Sequence, residues 1–189
     1  MKTKDMIMQQ SIELFYRNGY SRTSVRDIVK AAGITNSSLY NHFISKEEIL
    51  YTIIQRIGHD ILNVLTPIVS SDNHPRDKLS LMIFQQIVNF KDRKKEVKIY
   101  LDETGNLNPK LRKEIRKQHR LIYEYYKKQI CDLEELGLIK TSNKSVVSFA
   151  ALSLVNWCYR WFRDDGEISI EETAKILTNI YLGGILLAK

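Results

Sequence analysis

A chain of 189 residues, 43% hydrophobic and 27% charged, has the make-up of an ordinary globular protein and can bury a core without disulfide or metal staples. Eight Gly and three Pro are too few for a turn-rich sandwich or barrel and favour helices, and two Cys, Cys131 and Cys158, are too few for a disulfide framework. No apolar leader opens MKTKDMIMQQ and no stretch nears a membrane span of roughly 20 apolar residues, so a cytoplasmic chain with reduced thiols is expected, while a net charge of +7 points to an anionic partner.

Ile7, Ser11, Leu14 and Phe15 share one helical face and predict a first helix from Thr3 to about Asn18, stopped at Asn18-Gly19. A short second helix runs from about Val25 to Ala32, with Ser24 as cap and Asp27 in capping-box spacing. Gly33 breaks the chain, and a third short helix spans about Asn36 to Phe43 with Thr35 as cap. Ser45-Lys46-Glu47-Glu48 opens a long fourth helix to about Thr66, with Pro67 near its end. Helices follow at about 76–93 and 95–104, then one from Pro109 to about Leu136, ending at Gly137. The last two span about 144–163 and 170–187, separated by Asp164-Asp165-Gly166. The predicted architecture is all-α, about nine helices, with residues 1–50 forming a small N-terminal domain and 51–189 a larger helical one.

Two short helices joined by a tight Gly-containing turn are a helix-turn-helix signal. The second of them carries Asn36, Ser37, Ser38, Tyr40, Asn41 and His42 against apolar anchors at only Ile34, Leu39 and Phe43. So many donors and acceptors on so short a helix suit base edges in a DNA major groove.

Over Ile7 to about Tyr51 the run SIELFYRNGYSRTSVRDIVKAAGITNSSLYNHFISKEEIL resembles the DNA-binding domain of TetR/AcrR-type transcriptional repressors. The resemblance rests on Leu14-Phe15, Gly19-Tyr20, Thr23-Ser24-Val25, Ile28, Ala32-Gly33-Ile34, Leu39-Tyr40, Phe43 and Ser45-Lys46-Glu47. It implies phosphate contacts from Thr23 and Ser24, with Arg26 at the DNA edge. Thr35, Asn36, Ser37 and Ser38 would start the recognition helix, with Asn36, Ser37 and Asn41 reading bases and Tyr40 and His42 on the phosphate backbone. Lys46 would bring charge and a helix N-terminus to one phosphate. Many relatives place Gly-Thr where this chain has Ser37-Ser38, which alters how closely the backbone approaches DNA there. Packing for Tyr40 and an uninvolved surface position for His42 stand as alternatives.

The last two helices carry broad apolar stripes. Val146, Phe149, Ala150, Leu154, Trp157 and Trp161 lie on one, and the stretch Ile176 to Leu187 is apolar nearly all round, as a homodimer surface requires. Two-fold pairing matches a palindromic operator. The run NWCYRWFRDDGEISIEE at 156–172 is similar to a segment in the branch of the family that represses fatty-acid and steroid degradation and releases DNA on binding an acyl-CoA. Two readings stand for Trp157, Arg160 and Trp161: a dimer face, or a ligand wall in which rings cover an acyl chain and Arg160 meets a thioester or phosphate.

Between residues 91 and 128 thirteen Lys and Arg stand against six Asp and Glu. This excess is either a solvated helical face or a polyanion site. If these helices frame a pocket mouth, Lys94, Lys95, Arg112, Arg116 and Arg120 would meet coenzyme A phosphates, with Tyr100, Tyr123, Tyr125 and Tyr126 as wall. A Tyr-rich, cation-rimmed pocket also suits a flat aromatic drug, so multidrug sensing competes, as does a DNA-binding protein with no small ligand. No catalytic motif or paired metal spacing accompanies His42, His59, His74 and His119, so neither an enzyme nor a cofactor is expected.

Overall fold

The computed structural model describes residues 2–139 and 143–187, and among them nine α-helices and no strand. They are α1 Thr3–Asn18, α2 Val25–Ala32, α3 Asn36–Tyr40, α4 Lys46–Ser70, α5 Pro75–Val88, α6 Lys94–Asp102, α7 Pro109–Glu135, α8 Lys144–Trp161 and α9 Ile170–Ile185. Single 3-10 turns at Lys91–Arg93 and Thr104–Asn106 precede α6 and α7. The all-α expectation holds, with adjustments: the helix expected at about 76–93 ends at Val88, with Lys91–Arg93 a separate 3-10 turn. The third helix is shorter than its pattern predicts, because the chain already turns at Asn41 and His42. The fourth is longer, and Pro67 lies inside it.

Packing groups the chain into two compact units, Met1–His59 with Lys94–Lys117, and Asp60–Arg93 with Gln118–Lys189. The chain of α4 and of α7 passes through both. In the first unit α1 packs on α2 and on α6, and α2 on α3. Ile7, Phe15, Ile28, Leu39, Ile49, Leu50, Val97 and Ile99 are buried there. In the second unit α5 packs on α8 and α9, and Leu79, Met82, Ile83, Ile130, Leu133, Ala151, Val155 and Ala174 form its core. Ile139 and Leu186 make one isolated antiparallel bridge.

Caps set the helix starts. The Ser24 side chain accepts from the Asp27 N–H while the Asp27 carboxylate accepts from the Ser24 N–H at 2.8 Å, a complete capping box. Thr35 caps α3 through the Ser38 N–H at 3.1 Å. At α4, Ser45 accepts from the Glu48 N–H, but the Glu48 carboxylate reaches back to the Ile44 N–H, so that box is displaced by one residue. Gly33 closes α2 at φ 63° and ψ 35°, in the left-handed region that side chains disfavour.

The net charge divides with the packing. The first unit holds sixteen Lys and Arg against nine Asp and Glu, and the second holds thirteen against thirteen. The basic run of α6 and of the first turns of α7 therefore belongs to the unit that carries α2 and α3.

Candidate functional site

The turn from α2 into α3 leaves a polar surface. Leu39 and Phe43 point inward and are buried, which turns Thr35, Asn36, Ser37, Tyr40, Asn41 and His42 outward, all exposed, with Ser38 half-buried. Tyr40 keeps 53% of its surface open, so a core role is ruled out by geometry. Ser24 and Arg26 at the start of α2 are exposed as well. These side chains present donors and acceptors on a scaffold fixed from behind by apolar anchors, the arrangement groove reading requires.

Two of the side chains expected at the DNA have intramolecular partners. Thr23 is buried, and its hydroxyl donates to the Gly19 carbonyl at 2.9 Å and the Leu14 carbonyl at 3.4 Å. It ties the α1–α2 turn to α1 and offers no side chain to a phosphate. Lys46 is half-buried and its ammonium donates to the carbonyls of Tyr20 at 2.9 Å and Thr23 at 2.7 Å, above the Tyr20 ring at 4.0 Å. Desolvation pulls its pKa down against the opposing pull of Glu103. Its charge serves the turn rather than standing free. Sequence reasoning also missed Ile44, 83% exposed just past the α3 turn. It is an apolar side chain left open beside a polar surface, and its position outside any helix left no periodic signal.

The candidate ligand residues are divided between the two units. Tyr100 and Arg116 fall in the first unit, and Arg120, Tyr123, Tyr126, Trp157, Arg160 and Trp161 in the second. Tyr100 is a buried residue of α6, and burial drives its phenol pKa upward. Arg116 is exposed, and Arg120, also exposed, pairs with Glu124 at 3.8 Å within α7. Tyr123 donates to Ser145 at 2.9 Å and stacks on Phe149 with centroids 4.8 Å apart. Trp157 and Trp161 are 60% and 47% exposed, with the Arg160 guanidinium 4.9 Å from the Trp157 ring centroid. Val146 and Phe149 of α8, Ile176 and Ile180 of α9, and Leu187 just after it are exposed as well. Two of the cations proposed for coenzyme A phosphates are engaged elsewhere: Arg112 donates to the Gly105 and Leu107 carbonyls, and Lys95 pairs with Glu13.

Inside the second unit lies a polar group the sequence analysis overlooked. Tyr126 is fully buried and donates to the Gln86 amide oxygen at 3.0 Å, and burial raises its pKa. One turn on, Gln129 is fully buried with neither amide atom partnered among the described residues. The buried Thr173 and Thr178 hydroxyls of α9 are unpartnered too. The signal was present: Gln129 falls on the stripe Ile115, Ile122, Tyr126, Ile130, Leu133 of α7, where a lone amide among apolar residues stands out. Among the described residues no group of His, Cys, Asp and Glu could hold a metal ion, and no helix is long and apolar enough to cross a membrane.

A helix-turn-helix with an outward polar recognition element, in a chain that is helical throughout its described residues, defines the class of helix-turn-helix DNA-binding regulators. Residues 7–52 match the family model for bacterial regulatory proteins of the tetR family, and residues 72–185 that for the tetracyclin repressor-like C-terminal domain. The chain belongs to the TetR family: it is a TetR-type transcriptional repressor, and its relatives are regulators rather than enzymes. It is 31% identical over 154 residues to IcaR of Staphylococcus aureus, a negative transcriptional regulator of a biofilm operon, covering 82% of this chain and 81% of that one. It is 29% identical over 181 residues to the transcriptional repressor KstR2 of Rhodococcus jostii, covering 91% and 85%. The structure of AibR in complex with isovaleryl coenzyme A and operator DNA shares the fold, with a TM-score of 0.86 at 24% identity over 95% of this chain and 97% of that one.

Proposed function

We propose that this repressor binds a palindromic operator as a homodimer and lets go when its second unit takes up an acyl-CoA. On DNA, Asn36, Ser37 and Asn41 read base edges, and Ser24, Arg26, Thr35, Ser38, Tyr40 and His42 hold the phosphate backbone. The exposed apolar face of α8 and α9, including Trp157 and Trp161, pairs the two copies; so much clustered apolar surface calls for a cover.

The observation that carries the effector half is the unpartnered amide of Gln129. A buried amide without hydrogen bonds costs about 1–3 kcal/mol, a cost a ligand carbonyl or hydroxyl would remove. The acyl part then lies among the apolar side chains of the second unit. The complex of AibR with isovaleryl coenzyme A supports the ligand class.

Calorimetric titration tests this. An acyl-CoA binds the wild-type protein and free coenzyme A binds at least tenfold more weakly. Gln129→Leu keeps or raises the melting temperature while weakening acyl-CoA binding, because leucine removes the orphaned amide at similar volume. Unchanged acyl-CoA affinity in Gln129→Leu would remove the amide from recognition. Heat from an aromatic cation, with none from any acyl-CoA, would replace the ligand class with drugs.

A further inference from the structure

The start of α7 is tied to the elements that carry the DNA-facing surface. The Asn108 N–H and side-chain amide donate to the two carboxylate oxygens of Glu47 at 2.5 and 3.0 Å, and Asn108 itself caps α7 through the Leu111 N–H at 3.0 Å. Glu47 is the second residue of α4, whose first residue, Lys46, bonds the Thr23 carbonyl just before α2. The Tyr20 N–H donates to Glu103 at 3.3 Å, and Ser21 to Asn106 at 3.4 Å. The N-terminal ends of α2, α4 and α7 are thus linked in series within the first unit, each bringing the positive end of a helix dipole.

From that edge α7 carries a basic stripe. Lys110, Lys113, Arg116 and Lys117 are all exposed, and at i, i+3, i+6 and i+7 they share about a third of the helix circumference. Lys117 pairs with Glu114 at 2.9 Å, whereas among the described residues no ion pair engages Lys110, Lys113 or Arg116. Of the acids near them, Glu114 pairs with Lys117, Glu47 accepts from Asn108 and Glu103 from the Tyr20 N–H. All of the net charge resides in this unit.

We infer that the first two turns of α7 form an accessory DNA-backbone surface, with Lys110, Lys113 and Arg116 on phosphates flanking the sites that α2 and α3 engage. The stripe offers three cationic ends, carries no base-reading amide, and contributes affinity without sequence preference. This inference rests on the operator-binding reading.

The test compares wild type with the triple variant Lys110→Gln, Lys113→Gln, Arg116→Gln, its fold checked by an unchanged helical spectrum and melting temperature. Binding to a long operator duplex and to a scrambled duplex is measured from low to physiological salt. Each lost phosphate contact lowers the slope of log affinity against log salt by about 0.9. With three contacts from each protomer of the dimer, the expected result is a slope shallower by about five on both duplexes, with the preference for operator retained. An unchanged slope in a variant whose parent binds DNA overturns the inference alone. Failure of the wild type to bind either duplex overturns the operator reading and this inference with it. An unchanged slope with weakened binding of coenzyme A assigns the stripe to the ligand's phosphates and likewise overturns it.

Discussion

The Thr23 hydroxyl holds the carbonyls of Gly19 and Leu14, so Thr23→Val is expected to cost about 1 kcal/mol of stability. Urea denaturation measures this, and a variant of unchanged stability with weakened DNA binding would return Thr23 to the interface. Tyr40→Ala, by contrast, leaves stability intact, since the side chain is exposed. It weakens every duplex alike, while Asn41→Ala changes preference among operator variants; equal loss on all sequences for Asn41→Ala removes it from base reading. His119 is partly buried, and burial lowers its pKa below the ordinary 6.5. The unfolded chain therefore binds this proton more readily. The contribution to stability is complete above pH 6.5 and is lost as pH falls toward the lowered folded value. His119→Gln flattens that part of the pH–stability curve, and an identical curve would show the imidazole does not titrate there. At this scale residue type announced surface or core well for Asn36, Tyr40 and Leu39. It gave no sign of the partners of Thr23 and Lys46, because a hydroxyl or an ammonium serves a backbone carbonyl as readily as a phosphate, and only the fold brings Gly19 and Tyr20 within reach.

Helix ends were legible because caps are local. Ser24 with Asp27 and Thr35 act as their spacing predicts, and Ser169 caps α9 by accepting from the Glu172 N–H at 3.0 Å. The Asp27 carboxylate is held below the usual range chiefly by the Ser24 hydroxyl, which ties the α2 cap to its ionised form. Gly33 stands at φ 63° with open space around a built Cβ, so Gly33→Ala meets strain without a clash. A loss of about 1–2 kcal/mol is expected, read by urea denaturation, and an undiminished midpoint would show that the turn relaxes. The α6–α7 connector was illegible: Glu103 reads as the end of a helix and Asn106 and Asn108 as the link to Pro109, with no local sign of their partners. Their partners Tyr20, Ser21 and Glu47 lie 61–85 residues away in sequence.

Across the whole molecule, charge and apolar surface are segregated. The first unit holds the entire +7, and the neutral second unit carries the exposed apolar face of α8 and α9. One surface thus favours DNA and the other a second copy of the chain. Ile180 is 62% exposed on that face, so Ile180→Glu is expected to convert a dimer into a folded monomer by sedimentation, and an unaltered dimer mass would place the interface elsewhere. Segregation by packing was hidden in the sequence, since Lys94–Lys117 joins the first unit only after α6 folds back on α1. Release of DNA needs the effector to favour one arrangement of the dimer; a tenfold loss of operator affinity requires about 1.4 kcal/mol of differential binding. Fluorescence anisotropy on DNA from the upstream region, at fixed salt, with and without a panel of acyl-CoAs, measures this directly. Tight binding is expected, weakened tenfold or more by at least one acyl-CoA and unchanged by free coenzyme A. Tight binding indifferent to every acyl-CoA would contradict release by an acyl-CoA.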